Sequence, residues 1–245
     1  MIRITNLVKR YGPITALSDV SLSVASGEIF GFIGPNGAGK TTTIRIIGGL
    51  MSPTSGTVEI NGVSMAKDPS RAKAMVGFVP DRPFLYDKLT GNEFLEFTGD
   101  LYDLPREATA ERAARLLSLF SLSEWGDERI EAYSHGMKQR LIMASALIHE
   151  PRALVVDEPM VGLDPRAIRL VKDLFRDLAA RGTAVFLSTH TLEVAQDLCH
   201  RIGVIHRGRV IAEGTFSDLK TRANIRDEDL EEVFLKLTEE GSEAI

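Results

Sequence analysis

The stretch GPNGAGKTT, residues 34–42, decides the fold because it matches the phosphate-binding pattern G-x-x-x-x-G-K-[ST]. It follows the apolar segment EIFGFI and precedes helical periodicity over residues 41–50, which is the context that the pattern requires. The alternative interpretation, a glycine-rich turn with a surface lysine, does not explain this context. The sequence therefore predicts a nucleotide-binding loop, in which Lys40 reaches the β- and γ-phosphates and the Thr41 hydroxyl ligates Mg²⁺. The predicted nucleotide-binding residues of the loop are Gly34, Asn36, Gly37, Ala38, Gly39, Lys40, Thr41 and Thr42.

Apolar strands and amphipathic helices alternate around this loop. The runs EIFGFI, ALVVDE and TAVFLST are almost wholly apolar, as expected for strands of a parallel sheet covered on both faces. Helical periodicity follows them at residues 41–50, 165–180 and 191–199, and the first sixty residues contain strands broken by turns. Residues 87–150 have helical patterns without strands. The sequence predicts an α/β P-loop NTPase (RecA-like) fold, with a parallel-sheet core, an N-terminal antiparallel β subdomain and an inserted α-helical subdomain.

Two acidic residues end the buried strand ALVVDE. Asp157 emerges from the strand beside the predicted phosphate loop, where a carboxylate can hold Mg²⁺ through its water shell. Glu158 comes next and is placed to polarise an attacking water. Two solvated acids at a strand end are the alternative, but the phosphate loop favours the catalytic interpretation.

A second anion-binding pattern lies far downstream, in YSHGMKQRL, residues 133–141. Ser134 can cap a helix, Gly136 permits close approach of another backbone, and an apolar stripe follows. Such a helix start attracts anions through its free N–H groups and the macrodipole. A mere helix cap is the alternative, and it is compatible with phosphate binding because both use the same geometry.

The motifs together resemble those of the nucleotide-binding subunit of an ATP-binding-cassette (ABC) transporter. The segment YSHGM occupies the position of the family's Leu-Ser-Gly-Gly-Gln signature, GLDP matches the loop after the acidic strand, and STH matches the switch loop that ends in His190. Tyr11 matches the aromatic residue that stacks on adenine. The motifs occur in family order and cover almost the whole chain, and the C-terminal LEEVFLKLTEE resembles tails of cassettes that serve ABC-2-type exporters.

The resemblance implies roles for residues that the patterns alone leave open. Two cassettes would dimerise head to tail, so that Ser134 and the Gly136 backbone hold the γ-phosphate of a nucleotide on the partner. His190 would sense the γ-phosphate, although an ordinary strand-end histidine is the alternative. Asp164 would touch the partner, and it is also a good N-cap for the next helix. Tyr11 would stack on adenine, although a strand-end tyrosine needs no ligand.

Three positions depart from the family pattern. Asp81 stands where the family has glutamine in the loop GFVPDRPFLYDKLT, and a carboxylate there can still meet Mg²⁺ or position water. We expect Asp81 to retain metal contact while altering hydrolysis or its coupling to transport. His135 replaces a signature glycine and Met137 the final glutamine, so phosphate contact is expected to survive at Ser134 and Gly136 alone.

Composition and charge exclude several classes of protein. The chain has 245 residues, 44% of them hydrophobic, and a net charge of −5. Residues 227–245 hold eight acids and one base, so the first 226 residues carry about +2 and show no basic stripe for nucleic acid. Cys199 is the single cysteine, which fits a reducing compartment, and the sequence shows neither a secretory h-region nor an apolar run of membrane-spanning length.

The resemblance to the ABC family implies one ABC ATPase domain over residues 1–245. Residues 1–82 and 151–216 would form the ATP-binding core with its β subdomain, residues 83–150 the helical subdomain, and residues 217–245 a helical tail. The expected ligands are ATP and Mg²⁺. The expected partners are a second ATPase chain, in a homodimer, and a separate transmembrane permease, with no direct nucleic-acid binding, at the cytoplasmic face of the membrane.

Two other functions remain open from the sequence. One is a soluble ABC ATPase without a role in transport, although fewer than a hundred residues separate the phosphate loop from the signature and they show no sustained heptads. The other is a nucleotide-dependent regulator that does not hydrolyse ATP. Asp81 and Met137 favour such a regulator, whereas Glu158 and His190 argue against it.

Overall fold

The computed structural model describes residues 1–82, 84–224 and 230–243. The strands are β1 (Ile2–Tyr11), β2 (Ile14–Val24), β3 (Ile29–Ile33), β4 (Ser55–Ile60), β5 (Val63–Ser64), β6 (Val76–Val79), β7 (Ala153–Asp157), β8 (Ala184–Thr189), β9 (Arg201–His206) and β10 (Arg209–Gly214). The helices are α1 (Lys40–Ile47), α2 (Pro69–Lys73), α3 (Gly91–Leu101), α4 (Arg106–Leu119), α5 (His135–Leu147), α6 (Pro165–Ala180), α7 (Leu192–Leu198), α8 (Phe216–Ala223) and α9 (Leu230–Glu243). Within these ranges, no helix is long and apolar enough to cross a membrane.

The larger sheet has six strands in the order β10-β9-β3-β8-β7-β6. All neighbours are parallel except β9 and β10, which form an antiparallel pair. Every residue of β3, β7 and β8 is buried, because helices cover one face of the sheet and α1 with the smaller sheet covers the other. Parallel pairing brings the carboxyl ends of these three strands to one edge, with Ile33 beside Thr189 and Asp157 beside Ser188.

The smaller sheet is antiparallel, with the order β2-β1-β4-β5. Its apolar face packs on α1 and on one face of the larger sheet, in a core that includes Phe30, Phe32 and Ile44. The helices α3, α4 and α5 share a second core with the other face of the larger sheet. The predicted α/β fold, with an antiparallel β unit and inserted helices, is thus confirmed.

Some local expectations were wrong. The segment GFVPDRPFLYDKLT was expected to be a loop, but its residues Gly77, Phe78 and Val79 belong to the edge strand β6, which pairs in parallel with β7. The helix predicted over residues 41–50 ends at Ile47, where Gly48 and Gly49 follow and Gly49 takes a left-handed φ of 68°. The short helix α2 was not predicted, whereas α8 falls almost entirely within the segment expected to be a helical tail.

The C-terminal helix α9, which lies in the predicted helical tail, is amphipathic. Val233 and Leu237 of α9 are buried in a third core with α7, α8 and the β9–β10 pair, and Phe234 packs against it. The helical spacing of Leu230, Val233 and Leu237 predicts one shared face, but the side chain of Leu230 lies outside the described residues, as do residues 225–229 and 244–245.

His149 links the helical unit to the edge of the larger sheet. Its ring stacks on that of Tyr102, with centroids 3.7 Å apart and planes within 3°, and its Nε2–H donates to the Val76 carbonyl at 3.1 Å. Burial, with the Arg112 guanidinium nearby, lowers the pKa of His149 to about 4. The ring is therefore neutral in the folded protein at physiological pH, and its contacts give it a structural role at this junction.

Acidification should weaken this junction. The pKa of His149 is lower in the folded than in the unfolded protein, so its contribution to the free energy of unfolding is fully present above about pH 6.5 and is lost as pH falls toward 4. Between pH 7.5 and pH 5 the loss should be about 2 kcal/mol. Urea unfolding of the wild type and of His149→Gln at both pH values isolates this contribution from that of the carboxylates. An equal pH dependence in the two proteins would contradict the prediction.

Candidate functional site

The loop between β3 and α1 has the backbone shape that binds phosphates. Gly37 and Gly39 take left-handed φ angles of 77° and 113°, which other residues enter at a cost. At Gly34 a Cβ would lie 2.3 Å from the Ile205 carbonyl oxygen, so only glycine fits. Ala38 anchors the loop, because its carbonyl accepts from Gly208 N–H at 2.9 Å.

Lys40 opens α1 and is buried to 8% exposure. Its ammonium donates to the carbonyls of Gly34, at 2.6 Å, and Pro35, at 3.2 Å. Burial lowers the pKa of Lys40, while the carboxylates of Glu158 and Asp157 oppose that shift. A phosphate in the loop would add negative charge beside this ammonium and so favour its protonated form.

The acidic pair at the end of β7 is built into the sheet edge. The buried Asp157 carboxylate accepts a hydrogen bond from the Ser188 hydroxyl on the neighbouring strand β8. Glu158 takes a left-handed φ of 50°, which is rare for a glutamate, and its N–H donates to the Ser188 carbonyl at 3.1 Å. This turn carries the Glu158 side chain away from the strand.

His190 fixes the Glu158 carboxylate. Its Nδ1 lies 2.8 Å from Glu158 Oε1, and its backbone N–H donates to Oε2 at 3.4 Å. The Glu158 side chain is 15% exposed and that of His190 is 61% exposed. The pair therefore presents one oriented, largely desolvated carboxylate, next to an imidazole that solvent or a ligand can reach.

These groups share one cleft of about 430 Å³. Asp81 reaches it from the segment after β6. The residues that line it are Ala16, Asn36, Gly37, Gly39, Lys40, Thr41, Thr42, Asp81, Asp157, Glu158, Val161 and His190.

The cleft fits a divalent cation only together with a ligand that brings its own oxygens. Within the described part of the chain, no group of three or more His, Cys, Asp or Glu side chains is placed to hold a metal ion. Thr41, Asp157 and Asp81 nevertheless offer hydroxyl and carboxylate oxygens to the same cleft. Mg²⁺ commonly binds in this way, through one or two carboxylates plus phosphate and water oxygens.

The second predicted anion site lies elsewhere. Among the described residues, those lining the cleft do not include Ser134, Gly136 or Asp164. Ser134 caps α5, as predicted, by accepting from Met137 N–H at 3.3 Å, and Asp164 caps α6 by accepting from Ala167 N–H at 2.8 Å. The structure thus gathers one set of predicted residues in the cleft and separates another from it.

The start of α5 instead meets the loop that precedes α6. A Cβ added at Gly136 would lie 3.6 Å from the Gly162 carbonyl oxygen, and one added at Gly162 would lie 2.6 Å from His135 Cδ2. The His135 ring therefore rests on Gly162, whose φ of 76° also favours glycine. The histidine that departs from the family signature occupies the space beside this glycine.

Tyr11 lies at the end of β1 and is not among the described residues that line the cleft. Its ring is 44% exposed, its hydroxyl donates to the Met51 sulfur at 2.9 Å, and the Lys9 ammonium lies 5.2 Å from the ring centroid. Gly34 and Ala38 belong to the phosphate-binding loop, but they contact Ile205 and Gly208 and are not among the described residues that line the cleft.

Sequence reasoning missed Ser188, Ala16 and Val161. Ser188 was visible as the first polar residue after the apolar run AVFL, near the position where parallel neighbours end. Ala16 and Val161 carry no chemical signal in the sequence. Cys199 and His200 have structural positions: burial raises the pKa of the Cys199 thiol to about 12, and His200 Nδ1 accepts from Ile29 N–H at 2.9 Å.

Comparisons with known proteins agree with this geometry. A sequence model of the ABC transporter family matches residues 17–161. The linearmycin resistance ATP-binding protein LnrL of Bacillus subtilis (strain 168) is 40% identical over 222 residues, which is 91% of this chain and 71% of LnrL.

Two solved structures are similar over most of their length. An ATP-binding subunit of an ABC transporter is 35% identical, with a TM-score of 0.92, over 97% of this chain and 99% of that one. The ATP-binding cassette MJ0796, in a dimeric post-hydrolysis state bound to ADP and Pi, is 28% identical, with a TM-score of 0.77, over 88% and 98%.

The contact between His135 and Gly162 makes a double-mutant prediction. Gly162→Ala should destabilise the protein by about 1–2 kcal/mol, through left-handed backbone strain and displacement of the His135 ring. His135→Ala should relieve only the second part, so the double variant should be more stable than the sum of the single changes predicts. Urea unfolding of the four proteins measures this, and strict additivity would contradict the contact.

Proposed function

Because this chain belongs to the ABC transporter family, as an ATP-binding and ATP-hydrolysing subunit, we propose that two copies dimerise around two Mg·ATP and drive a separate membrane permease. The observation that carries the proposal is the division of the chain into two partial sites. Lys40, Asp157, Glu158 and His190 surround one cleft, whereas the cap of α5 at Ser134 lies outside it. A head-to-tail dimer would join the cleft of each copy to the α5 start of the other.

The chemistry proposed for the cleft follows from its charges. The loop N–H groups and Lys40 bind the phosphates, and the Glu158 carboxylate orients a water and accepts its proton as the water attacks the γ-phosphorus. His190 holds that carboxylate in place and contacts the γ-phosphate through its exposed imidazole. Asp157, Thr41 and Asp81 would hold Mg²⁺, which would neutralise phosphate charge during transfer.

The proposed dimer gives the remaining predicted residues their roles. The Ser134 hydroxyl and the Gly136 N–H would donate to the γ-phosphate of the partner's nucleotide, at a helix start that already favours anions. Asp164 would approach the partner while it caps α6. Tyr11 would stack on adenine with the ring face that Lys9 leaves open.

An exposed aromatic patch supports docking of a permease. Phe84, Tyr86 and Phe97 are 78%, 49% and 39% exposed. Their rings form edge contacts, Phe84 with Tyr86 at 5.9 Å and Tyr86 with Phe97 at 5.6 Å between centroids. Exposed aromatic clusters are typical of interfaces, and a short apolar helix of a permease would cover this one.

Export is the favoured direction of transport. The name of LnrL associates that relative with resistance to linearmycin. We infer that this chain likewise serves an exporter and sits peripherally at the cytoplasmic face of the membrane. We also propose the division into a core of residues 1–82 and 151–216, a helical subdomain of residues 83–150 and a tail of residues 217–245.

The dimer is tested with Glu158→Gln, which should bind ATP without consuming it. Light scattering after size exclusion should show twice the single-chain mass of 26.9 kDa with Mg·ATP, and the single-chain mass with ADP. Adding Ser134→Arg should abolish the dimer, because a bulky side chain would fill the phosphate position. Ser118→Arg, on the exposed side of α4, is the matched control and should leave the dimer intact. A monomer with ATP demonstrably bound would overturn the homodimer.

The role of Asp81 is tested separately. Asp81→Ala should raise the Mg²⁺ concentration needed for half-maximal ATPase activity and lower the rate several-fold, because one oxygen ligand is lost. Asp81→Gln, which restores the usual residue of the family, should recover most of that loss. An Asp81→Ala variant with unchanged Mg²⁺ dependence and rate would show that the carboxylate does not contact the metal.

A further inference from the structure

A second, larger cavity lies away from the nucleotide cleft. It is a groove of about 720 Å³ between α4, the C-terminal end of α5 and the length of α6. Its apolar lining consists mainly of six leucines, which are Leu116, Leu119, Leu147, Leu170, Leu174 and Leu178. The volume lies in the range of small-molecule sites, and nothing in the proposed ATPase mechanism uses it.

The leucine groove is elongated. Leu170, Leu174 and Leu178 are four residues apart on α6, so they share one face and extend for about 12 Å at 1.5 Å per residue. Arg166 and Arg169 lie at one end of this row, and Arg181 lies at the other. The shape suits a narrow apolar chain with a charged group at its end.

The charges on the rim leave a positive excess. Glu150 pairs with Arg115 at 3.1 Å, and Asp173 pairs with Arg176 at 3.2 Å, so both acids are neutralised. Four lining arginines, Arg152, Arg166, Arg169 and Arg181, make no ion pair with any carboxylate of the described residues, and they face a single remaining lining acid, Asp177.

We propose that the leucine groove binds a single-chain anionic amphiphile of the fatty-acid class. The leucines would receive the alkyl chain and the rim arginines the carboxylate. Inorganic phosphate and nucleotides have no apolar chain to match the lining, and neutral lipids have no charge to match the arginines. The proposal rests on the shape and charge of the groove, and it does not depend on the proposed dimer or permease.

Binding can be measured on the full chain without nucleotide. Calorimetric titration with laurate, kept below its micelle concentration, should give one site per chain. The affinity should fall by up to about fourfold for each methylene removed, and butyrate should not bind detectably. Vesicles of anionic phospholipid distinguish a free amphiphile from a bilayer surface, and we expect no binding to them.

The key variant is Leu119→Glu. Leu119 is 42% exposed, so the fold should tolerate the change, while the added carboxylate should repel the ligand and weaken laurate binding at least tenfold. Leu101→Glu is the matched control. Leu101 is the last residue of α3, as Leu119 is of α4, and it is 66% exposed and does not line the groove. It should bind laurate as the wild type does.

A second pair of variants tests the arginines. Arg166→Gln with Arg169→Gln should weaken laurate binding about threefold to tenfold, because rim charges are partly screened by solvent. Arg222→Gln, an exposed arginine on α8, should have no effect. Absence of laurate binding, binding only to vesicles, or binding that neither Leu119→Glu nor the double arginine variant weakens would overturn the proposal.

Discussion

Parallel pairing of β3, β7 and β8 is the constraint on which the site depends. These strands are buried on both faces, so they must be apolar along their length, and polar groups can appear only where they end. Their register brings those ends to one edge: Asp157 stands beside Ser188, and the phosphate loop follows Ile33. The sheet thereby fixes the distance between the Lys40 ammonium at the start of α1 and the carboxylates of Asp157 and Glu158.

The same architecture keeps the start of α5, the second predicted anion site, away from the cleft. Ser134 and Asp164 each accept a hydrogen bond from the first turn of their own helix, α5 and α6. Gly136, in the first turn of α5, lies close to Gly162 in the loop before α6. A cap with its helix dipole retains some attraction for anions after it has satisfied its own N–H group, because several N–H groups of the first turn stay free. In the proposed dimer, this residual capacity meets the phosphate of the other copy.

The sequence predicted the fold class and the residues that chemistry constrains, and it missed those set by packing. Lys40, Asp157, Glu158 and His190 follow buried strands in a recognisable pattern, and the structure brings them to one cleft. The strand β6 has only four residues, one of them a glycine, and runs directly into Pro80, so the sequence favoured a loop there. The leucine groove and the contact of His135 with Gly162 join segments that are distant in sequence, so local hydrophobic periodicity cannot predict them.

The left-handed backbone of Glu158 has a consequence for selection. An L-residue other than glycine or asparagine in this region costs about 1 kcal/mol, and the fold meets that cost at the residue proposed to activate water. A library screened only for folded, soluble protein should therefore enrich glycine and asparagine at position 158. A library screened for turnover should retain glutamate, so the two enrichment profiles would separate the needs of the fold from those of the chemistry at a single position.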